Sequence, residues 1–444
     1  MINLFDNYGQ KTRDLHHSLM ASGYNNKTII VNEDGFLPKR VTSPYAFYIH
    51  LYEDDFNPTY FNQIVKPDYW EIRGTNLESG VYDKNMRRAN VIYTSNLNSQ
   101  RIVSRVEWLD GNNGIRSVDH YGISGWRFAQ TSYNIKHQKI MTTYYTKDKK
   151  EVIVENYQTK NIILNQDGKV IVFKSKSDFV AFFIKSVGYN DDHVLYNSLS
   201  VPFLVTYAGD ISKKDWLFWQ EDIDSNGELP GNMVALLTDI RKDSLVIFQD
   251  KRQYDQAVNQ HPEYKEKILH IGNVYPITKH HRDKTSRALI LTNSDHIEKL
   301  DQLVSALPEV EFHIAALTEM SDKLMDFGKI KNVVLHPNVS NDLVDRLRKI
   351  CAIYLDINHG SEIMAATRQA FLNNQLILSF TETSHGLFTV DNNKFNSEDV
   401  RNMISLMNDV SENITSYEQK IIEQHQYNNQ TDISSFRNAI NSNL

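Results

Sequence analysis

With 444 residues, 41% of them hydrophobic and 23% charged, the chain is long enough for two or three domains with real cores. A formal net charge of −7 argues against a nucleic-acid partner, which recruits clustered Lys and Arg. The single cysteine, Cys351, excludes an intramolecular disulfide framework and reads as a small buried hydrophobe at a strand entry.

Residues 1–6 have no basic n-region, no long apolar core and no cleavage site, and no apolar run approaches a membrane span, so a cytoplasmic protein is expected. Residues 2–6 read as a buried strand, residues 7–9 as a turn, and residues 10–22 as a helix with Leu15 and Leu19 spaced i, i+4 and Gly23 as its C-cap. A strand over residues 28–32 completes a β-loop-α-β opening, which points to a parallel sheet with covered faces. From about Lys66 the pattern changes. Residues 89–95, 101–108, 125–131, 139–145, 151–156 and 170–174 read as strands separated by Gly-, Asn- and Asp-rich turns, an antiparallel meander of six or more strands. Helix–strand alternation resumes near Asp178, and the apolar segments 200–207, 233–239 and 244–248 fit an α/β domain that ends near Tyr275.

A second α/β domain follows a polar stretch at 278–286. It runs through a strand at 287–292, a helix to Leu307, strands at 311–316 and 332–336, and a helix capped by Ser340 with Leu343, Leu347 and Ile350 on one face. Residues 353–380 then read as strand, Gly turn, helix and strand. Helices over roughly 397–426 close the domain, and residues 427–444 read as a polar tail that frays. The expected organisation is an N-terminal Rossmann-like domain (1–65 plus 178–275), an inserted β-meander (66–177), a C-terminal Rossmann-like domain (276–426) and the tail.

Several motifs carry a closer resemblance: Asn3-Leu-Phe-Asp-Asn-Tyr-Gly9, Asp14-Leu-His-His-Ser-Leu19, the meander insertion, Phe218-Trp-Gln-Glu-Asp-Ile223 and Glu228-Leu-Pro-Gly-Asn-Met233. Nearly end to end, the chain resembles the glycosyltransferase-stabilising (co-chaperone) subunits encoded in accessory-secretion gene clusters of streptococci and their relatives. That resemblance implies a GT-B-like pair of Rossmann-like domains facing a cleft. It also implies a catalytic N-acetylglucosaminyltransferase paralogue as partner, and a serine-rich-repeat adhesin as the polypeptide that the pair O-glycosylates on Ser and Thr before export. Accessory secretion components are further expected partners, with peripheral contact at the inner face of the cell membrane. No cofactor is implied.

In catalytic relatives of this fold, the unit corresponding to residues 353–380 carries Glu-x7-Glu, which holds the nucleotide sugar. Aligned on the strand at 376–380, those positions hold Ser361 and Gln369, with Glu362 one place off. Asp295 stands near the expected phosphate-binding Arg, where its charge would repel a diphosphate. Each lost charge-assisted contact costs about 2–4 kcal/mol of transition-state stabilisation. An inactive donor site is therefore expected. The alternatives are an active retaining transferase that uses Glu362, Lys299 and Arg368 in shifted registers, and a pure folding chaperone of the partner. Expected acceptor or glycan contacts are Asn7, Tyr8, Gln220, Glu221, His359, Glu362 and Arg368. Expected partner contacts on the meander are Trp126, Phe128 and Tyr133. Asp222 and Asp224 match Asp-x-Asp but precede turn residues and read as a solvated loop, and neither His16-His17 nor His280-His281 completes a ligand set, so no metal is expected.

Overall fold

Short strands buried along most of their length recur in the segments before and after the meander, as parallel pairing under helices requires. A computed structural model describes every residue except 54–56, 75–78, 95–100, 190–192, 210, 225, 283–284 and 444. Ser95, the expected end of one meander strand, lies outside the described residues. Contacts divide the chain into two units, residues 1–16 with 23–270 and residues 17–22 with 271–444.

The chain begins with β1 (Ile2–Phe5), α1 (Gln10–Ala21), β2 (Lys27–Ile30), β3 (Val41–Thr42) and α2 (Pro44–Ile49). The meander follows as β4 (Glu71–Gly74), β5 (Ser79–Asp83), β6 (Met86–Tyr93), β7 (Val103–Leu109), β8 (Ile115–Tyr121), β9 (Arg127–Tyr133), β10 (Lys139–Tyr145), β11 (Glu151–Asn156), β12 (Ile162–Gln166) and β13 (Lys169–Phe173). After it come α3 (Lys176–Ser186), β14 (His193–Tyr196), α4 (Val201–Gly209), β15 (Lys214–Trp219), α5 (Gly231–Thr238), β16 (Asp243–Phe248), α6 (Lys251–Gln260) and β17 (Ile268–His270). Of the three apolar segments read in this stretch, the first two are helices and the third a strand.

Among the described residues, the first sheet has the order β17-β16-β15-β14-β1-β2-β3, all parallel. Strand order reverses between β1 and β14, the place where an open α/β sheet forms a crevice at its carboxyl ends. The meander strands pair in sequence order; β4, β5, β8 and β12 were not among the expected strands, and in β8 Arg116, Ser117, Asp119 and His120 mask the alternation. The strand read from Gly125 starts two residues later, at Arg127. Gly125 turns the chain at φ 80°, and a Cβ there would lie 1.8 Å from the Asn57 carbonyl oxygen.

The meander shares a core with the α/β part of its unit. Tyr45 of α2 stacks on Tyr144 of β10 with ring centroids 4.4 Å apart, and its hydroxyl donates to Glu155 of β11 (3.0 Å). Glu155 also pairs with Lys176 of α3 (2.9 Å). Phe128 lies in this same core at 2% exposure. That corrects its expected role at a partner surface: alternation along β9 turns its ring inward, where it offers a partner nothing.

The second unit contains β18 (Arg287–Thr292), α7 (Leu300–Ala306), β19 (Glu311–Ala316), α8 (Asp322–Met325), β20 (Val333–His336), α9 (Asn341–Ile350), β21 (Ile353–Asp356), α10 (Ala366–Leu372), β22 (Leu376–Phe380), β23 (Lys394–Phe395), α11 (Arg401–Glu412), α12 (Ile414–Tyr427) and α13 (Ile433–Asn441). Its sheet is parallel, in the order β20-β19-β18-β21-β22-β23, and reverses between β18 and β21. The Ser340 hydroxyl caps α9 by accepting from Leu343 N. The helix buries Val344, Leu347 and Arg348 and leaves Ile350 40% exposed, so its inner face is rotated from the expected one. Cys351 is buried, and burial pushes its thiol up to about 12.

Residues 427–443 are not a frayed tail. Asp432 caps α13, Phe436 and Ile440 are buried, and Arg437 Nε donates to the Ser22 carbonyl (2.9 Å). The sequence there is polar because only one narrow face of the helix docks. Phe436→Ala is expected to lower the unfolding free energy by about 3–5 kcal/mol, measured by urea denaturation of the full chain. A change within about 0.5 kcal/mol, the usual range for surface substitutions, would mean that the helix is not docked.

Candidate functional site

The carboxyl ends of β18 and β21 diverge, and the opening is spanned by the chain's own side chains. Thr292 Oγ1 donates to Asn358 Oδ1 (2.8 Å), and Asn358 Nδ2 donates to Asn293 Oδ1 (3.0 Å). Asn293 Nδ2 in turn reaches Ser361 Oγ (3.0 Å) and the Ser361 carbonyl (3.2 Å). Thr292 and Asn358 are buried. Gly360 lies so close to this series of bonds that a Cβ there would stand 1.8 Å from Asn293 Oδ1. Ser361, at the first expected acid position, is therefore the exposed end of a polar web whose inner members, Thr292 and Asn358, are buried.

Glu362 Oε1 accepts from Thr367 N (2.9 Å) and Thr367 Oγ1 (2.7 Å), so its carboxylate satisfies the start of α10. Gln369, at the second acid position, sits half-buried on α10 and carries no charge. The Arg368 guanidinium lies over the rings of Phe388 (5.7 Å) and Tyr275 (5.9 Å), a cation–π seat. Asp295 accepts from Ser321 Oγ (3.2 Å), and Lys299 Nζ is 3.7 Å from Glu298 Oε1.

His359 lies beside two residues that the sequence reading passed over. Its Nε2 is 2.6 Å from Glu298 Oε2, and its ring stacks on His296 with centroids 3.8 Å apart and planes 11° from parallel. The sequence signal was a His-x-Glu directly after one strand and a lone His after another, too sparse to read without the pairing of their loops. Behind this loop, the His385 ring stands between Asp356 Oδ1 (2.8 Å from Nδ1) and the Gly360 carbonyl (2.5 Å from Nε2). Burial opposes charge on His385, but hydrogen bonds and attraction from Asp356 outweigh it and hold its pKa above the ordinary value.

The N-terminal residues form a separate network in the first unit. Asn197 Oδ1 accepts from Asp6 N (3.0 Å), and its Nδ2 reaches Thr12 Oγ1 (2.9 Å) and Gln220 Oε1 (3.0 Å). Gln220 Nε2 then donates to Gln249 Oε1 (2.9 Å) and the Lys11 carbonyl (3.0 Å), so both ends of its amide are occupied. Tyr8 OH lies 2.7 Å from His16 Nδ1, and burial raises its phenol to about 12. Asn7 Oδ1 accepts from Gly9 N (3.1 Å) at an exposed turn, and Glu221 is exposed beside the network. Asn7 and Glu221 are thus open to solvent, while Tyr8 and Gln220 serve internal bonds. Asp222 accepts from Gln253 and Asp224 from Asn226 N, each in its own loop contact.

On the meander, Trp126 lines a cavity of about 650 Å³ together with Trp70, Trp108, Arg127 and Tyr145. Asp119 at its wall accepts from Trp108 Nε1 (2.7 Å), Gln130 Nε2 (2.7 Å) and Arg127 NH1 (3.0 Å). Lys147 and Lys149 stand exposed at its rim. Tyr133, half-buried at the end of β9, is not among the lining residues.

Two parallel sheets of nucleotide-binding topology, with an antiparallel meander inserted in the first, define a GT-B-type glycosyltransferase scaffold. TarM shares this fold at a TM-score of 0.52 and 11% identity, the alignment covering 100% of this chain and 98% of that one. Family models described as the GtfB N-terminal, middle and third domains match residues 2–48, 70–174 and 176–259, and a GftB/GlyA-F C-terminal domain model matches 288–424. The chain is 41% identical over 418 residues to the UDP-N-acetylglucosamine–peptide N-acetylglucosaminyltransferase stabilizing protein GtfB of Streptococcus agalactiae, spanning 93% of each chain. A chain in the crystal structure of the GtfA/B complex bound to UDP and GlcNAc superposes with a TM-score of 0.93 at 37% identity, over 100% of this chain and 99% of that one. The chain belongs to the GtfB family of transferase-stabilising proteins.

The His385 bridge sets a pH dependence. A histidine whose folded pKa is raised stabilises the fold fully below its unfolded value, near 6.5, and loses that contribution as pH rises through the folded value. The stability advantage of the wild type over His385→Gln, measured as the difference between their unfolding midpoints in urea, is therefore expected to shrink as pH rises from 6 towards 8. Parallel pH profiles for the two proteins would contradict the assignment.

Proposed function

We propose that the chain is the non-catalytic, acceptor-recognising subunit of a protein O-GlcNAc transferase. It pairs with a catalytic N-acetylglucosaminyltransferase and stabilises it. The observation that carries this reading is the Thr292–Asn358–Asn293–Ser361 web across the β18/β21 crevice, with no carboxylate at positions 361 and 369. A retaining transferase needs charged groups there to hold the sugar and to neutralise the diphosphate that leaves. The three residues that an active enzyme would recruit are all engaged elsewhere: Glu362 at the start of α10, Arg368 on two aromatic faces, and Lys299 beside Glu298.

The polypeptide acceptor is a serine-rich-repeat adhesin, glycosylated on Ser and Thr before export. Holding it on this subunit raises its effective concentration at the partner's active site. Exposed Asn7 and Glu221 are suited to weak polar contact with peptide or sugar. The meander cavity, with Trp126 and the rim lysines, is the proposed docking surface for the transferase, since aromatic anchors and cations are enriched where partners meet. No helix among the described residues is long and apolar enough to cross a membrane. We place the protein in the cytoplasm, with peripheral contact at the membrane where secretion components receive the adhesin.

Incubated alone with UDP-GlcNAc and an acceptor peptide, the purified chain is expected to release no UDP above a protein-free blank. Sustained release would make it an enzyme. Trp126→Asp and the double charge reversal Lys147→Glu/Lys149→Glu are each expected to abolish co-purification with the transferase. The exposed lysines separate docking from folding, because reversing their charge leaves the core untouched. Retention of the complex by both variants would move the interface off this face.

A further inference from the structure

We propose that His296, Glu298 and His359 form a binding site for a divalent transition-metal ion at the strand-order reversal of the second unit. The backbone brings the three together. Ile297 and Asn358 form an isolated antiparallel bridge, with Glu298 N donating to the Ile357 carbonyl (2.8 Å) and His359 N to the His296 carbonyl (3.1 Å). Side chains alternate across such a pair, so His296, Glu298 and His359 share one side while buried Ile297 and Asn358 take the other. Potential ligand atoms of the three residues all lie within 4.8 Å of one another. A tetrahedral ion with bonds near 2.0–2.1 Å needs its ligand atoms about 3.3 Å apart, which modest rotation of exposed imidazoles provides.

The donor set narrows the ion. Two imidazoles and one carboxylate suit Zn²⁺, Co²⁺ or Ni²⁺ and leave a fourth position to water, whereas Mg²⁺ and Ca²⁺ require oxygen ligands. The surroundings hold the ligands ready. Glu298 turns Oε2 to His359 while Oε1 faces Lys299, and the loop bearing His359 is tied to β18 through Asn358 and Asn293. The location supports a ligand site independently, because open parallel sheets bind ligands beyond the carboxyl ends where strand order reverses. An ion here would fasten the loop after β18 to the loop after β21.

The test uses the full chain, free of any affinity tag and stripped with a chelator, titrated with Zn²⁺ by calorimetry and with Co²⁺ by visible absorption. One saturating equivalent of Zn²⁺ is expected, with a visible Co²⁺ band and a rise in the thermal midpoint of about 2 °C or more at saturating Zn²⁺. His359→Ala, His296→Ala and Glu298→Gln are each expected to weaken Zn²⁺ binding by about tenfold or more. All three positions are on surface loops, and unchanged metal-free melting of at least one variant shows that loss of binding is not loss of fold. Absence of saturable binding overturns the proposal. So does equal Zn²⁺ affinity in the wild type and the His296→Ala/His359→Ala double variant.

Discussion

Thr292, Asn293, Asn358 and Ser361 hydrogen-bond in series across the one opening that the topology of the second unit leaves between its central strands, and that series decides what the unit can do. Each bond contributes about 0.5–1.5 kcal/mol net, but breaking one inside a buried site exposes the full desolvation cost of the group left behind. Thr292 and Asn358 are both buried, so a nucleotide that displaced their bond would strand polar atoms, whereas exposed Asn293 and Ser361 would return to water. An enzyme would offset that cost with cations and carboxylates that grip the donor. Here Lys299 faces Glu298, Arg368 lies on aromatic rings and Glu362 is committed to α10.

The scaffold is shared with the transferase-stabilising proteins of its family. A GT-B frame provides two rigid parallel sheets, and in the first unit the meander is packed onto the same core through Tyr45, Tyr144 and Phe128. That shared core ties the meander to the α/β part of its unit, which suits the proposed role of holding a partner and a polypeptide. The network around Asn197 and Gln220 occupies its own polar groups, whereas Asn7 and Glu221 face solvent, where the proposed acceptor contact would fall. Cavity aromatics and rim lysines concentrate apolar surface and positive charge on the meander of an otherwise acidic chain.

Much of this was legible in the sequence, and the gaps have physical causes. Hydrophobic runs located most of the second parallel sheet but only β1, β2 and β16 of the first. The Ser340 cap marked α9, but Ile350 pointed to the wrong face because an apolar residue near a helix end need not be inward. β8 went unread because its buried Asp119 is satisfied by Trp108, Gln130 and Arg127, a compensation visible only in three dimensions. Phe128 and Trp126 looked alike as aromatics of one strand region, yet the turn at Gly125 sets Phe128 inward and leaves Trp126 at the cavity. The polar composition after Tyr427 concealed a helix docked through Phe436 and Ile440. Ser361 and Gln369 are uncharged on the face of the sequence, but the bonding partner of Ser361 lies on a loop 68 residues away, which the sequence does not show.

Equilibrium binding of UDP to the isolated chain tests the closed crevice most directly. Calorimetric titration with UDP, in the presence of a chelator, is predicted to show no saturable binding up to about 1 mM, a free energy of about −4 kcal/mol. Saturable binding at micromolar UDP would contradict the account.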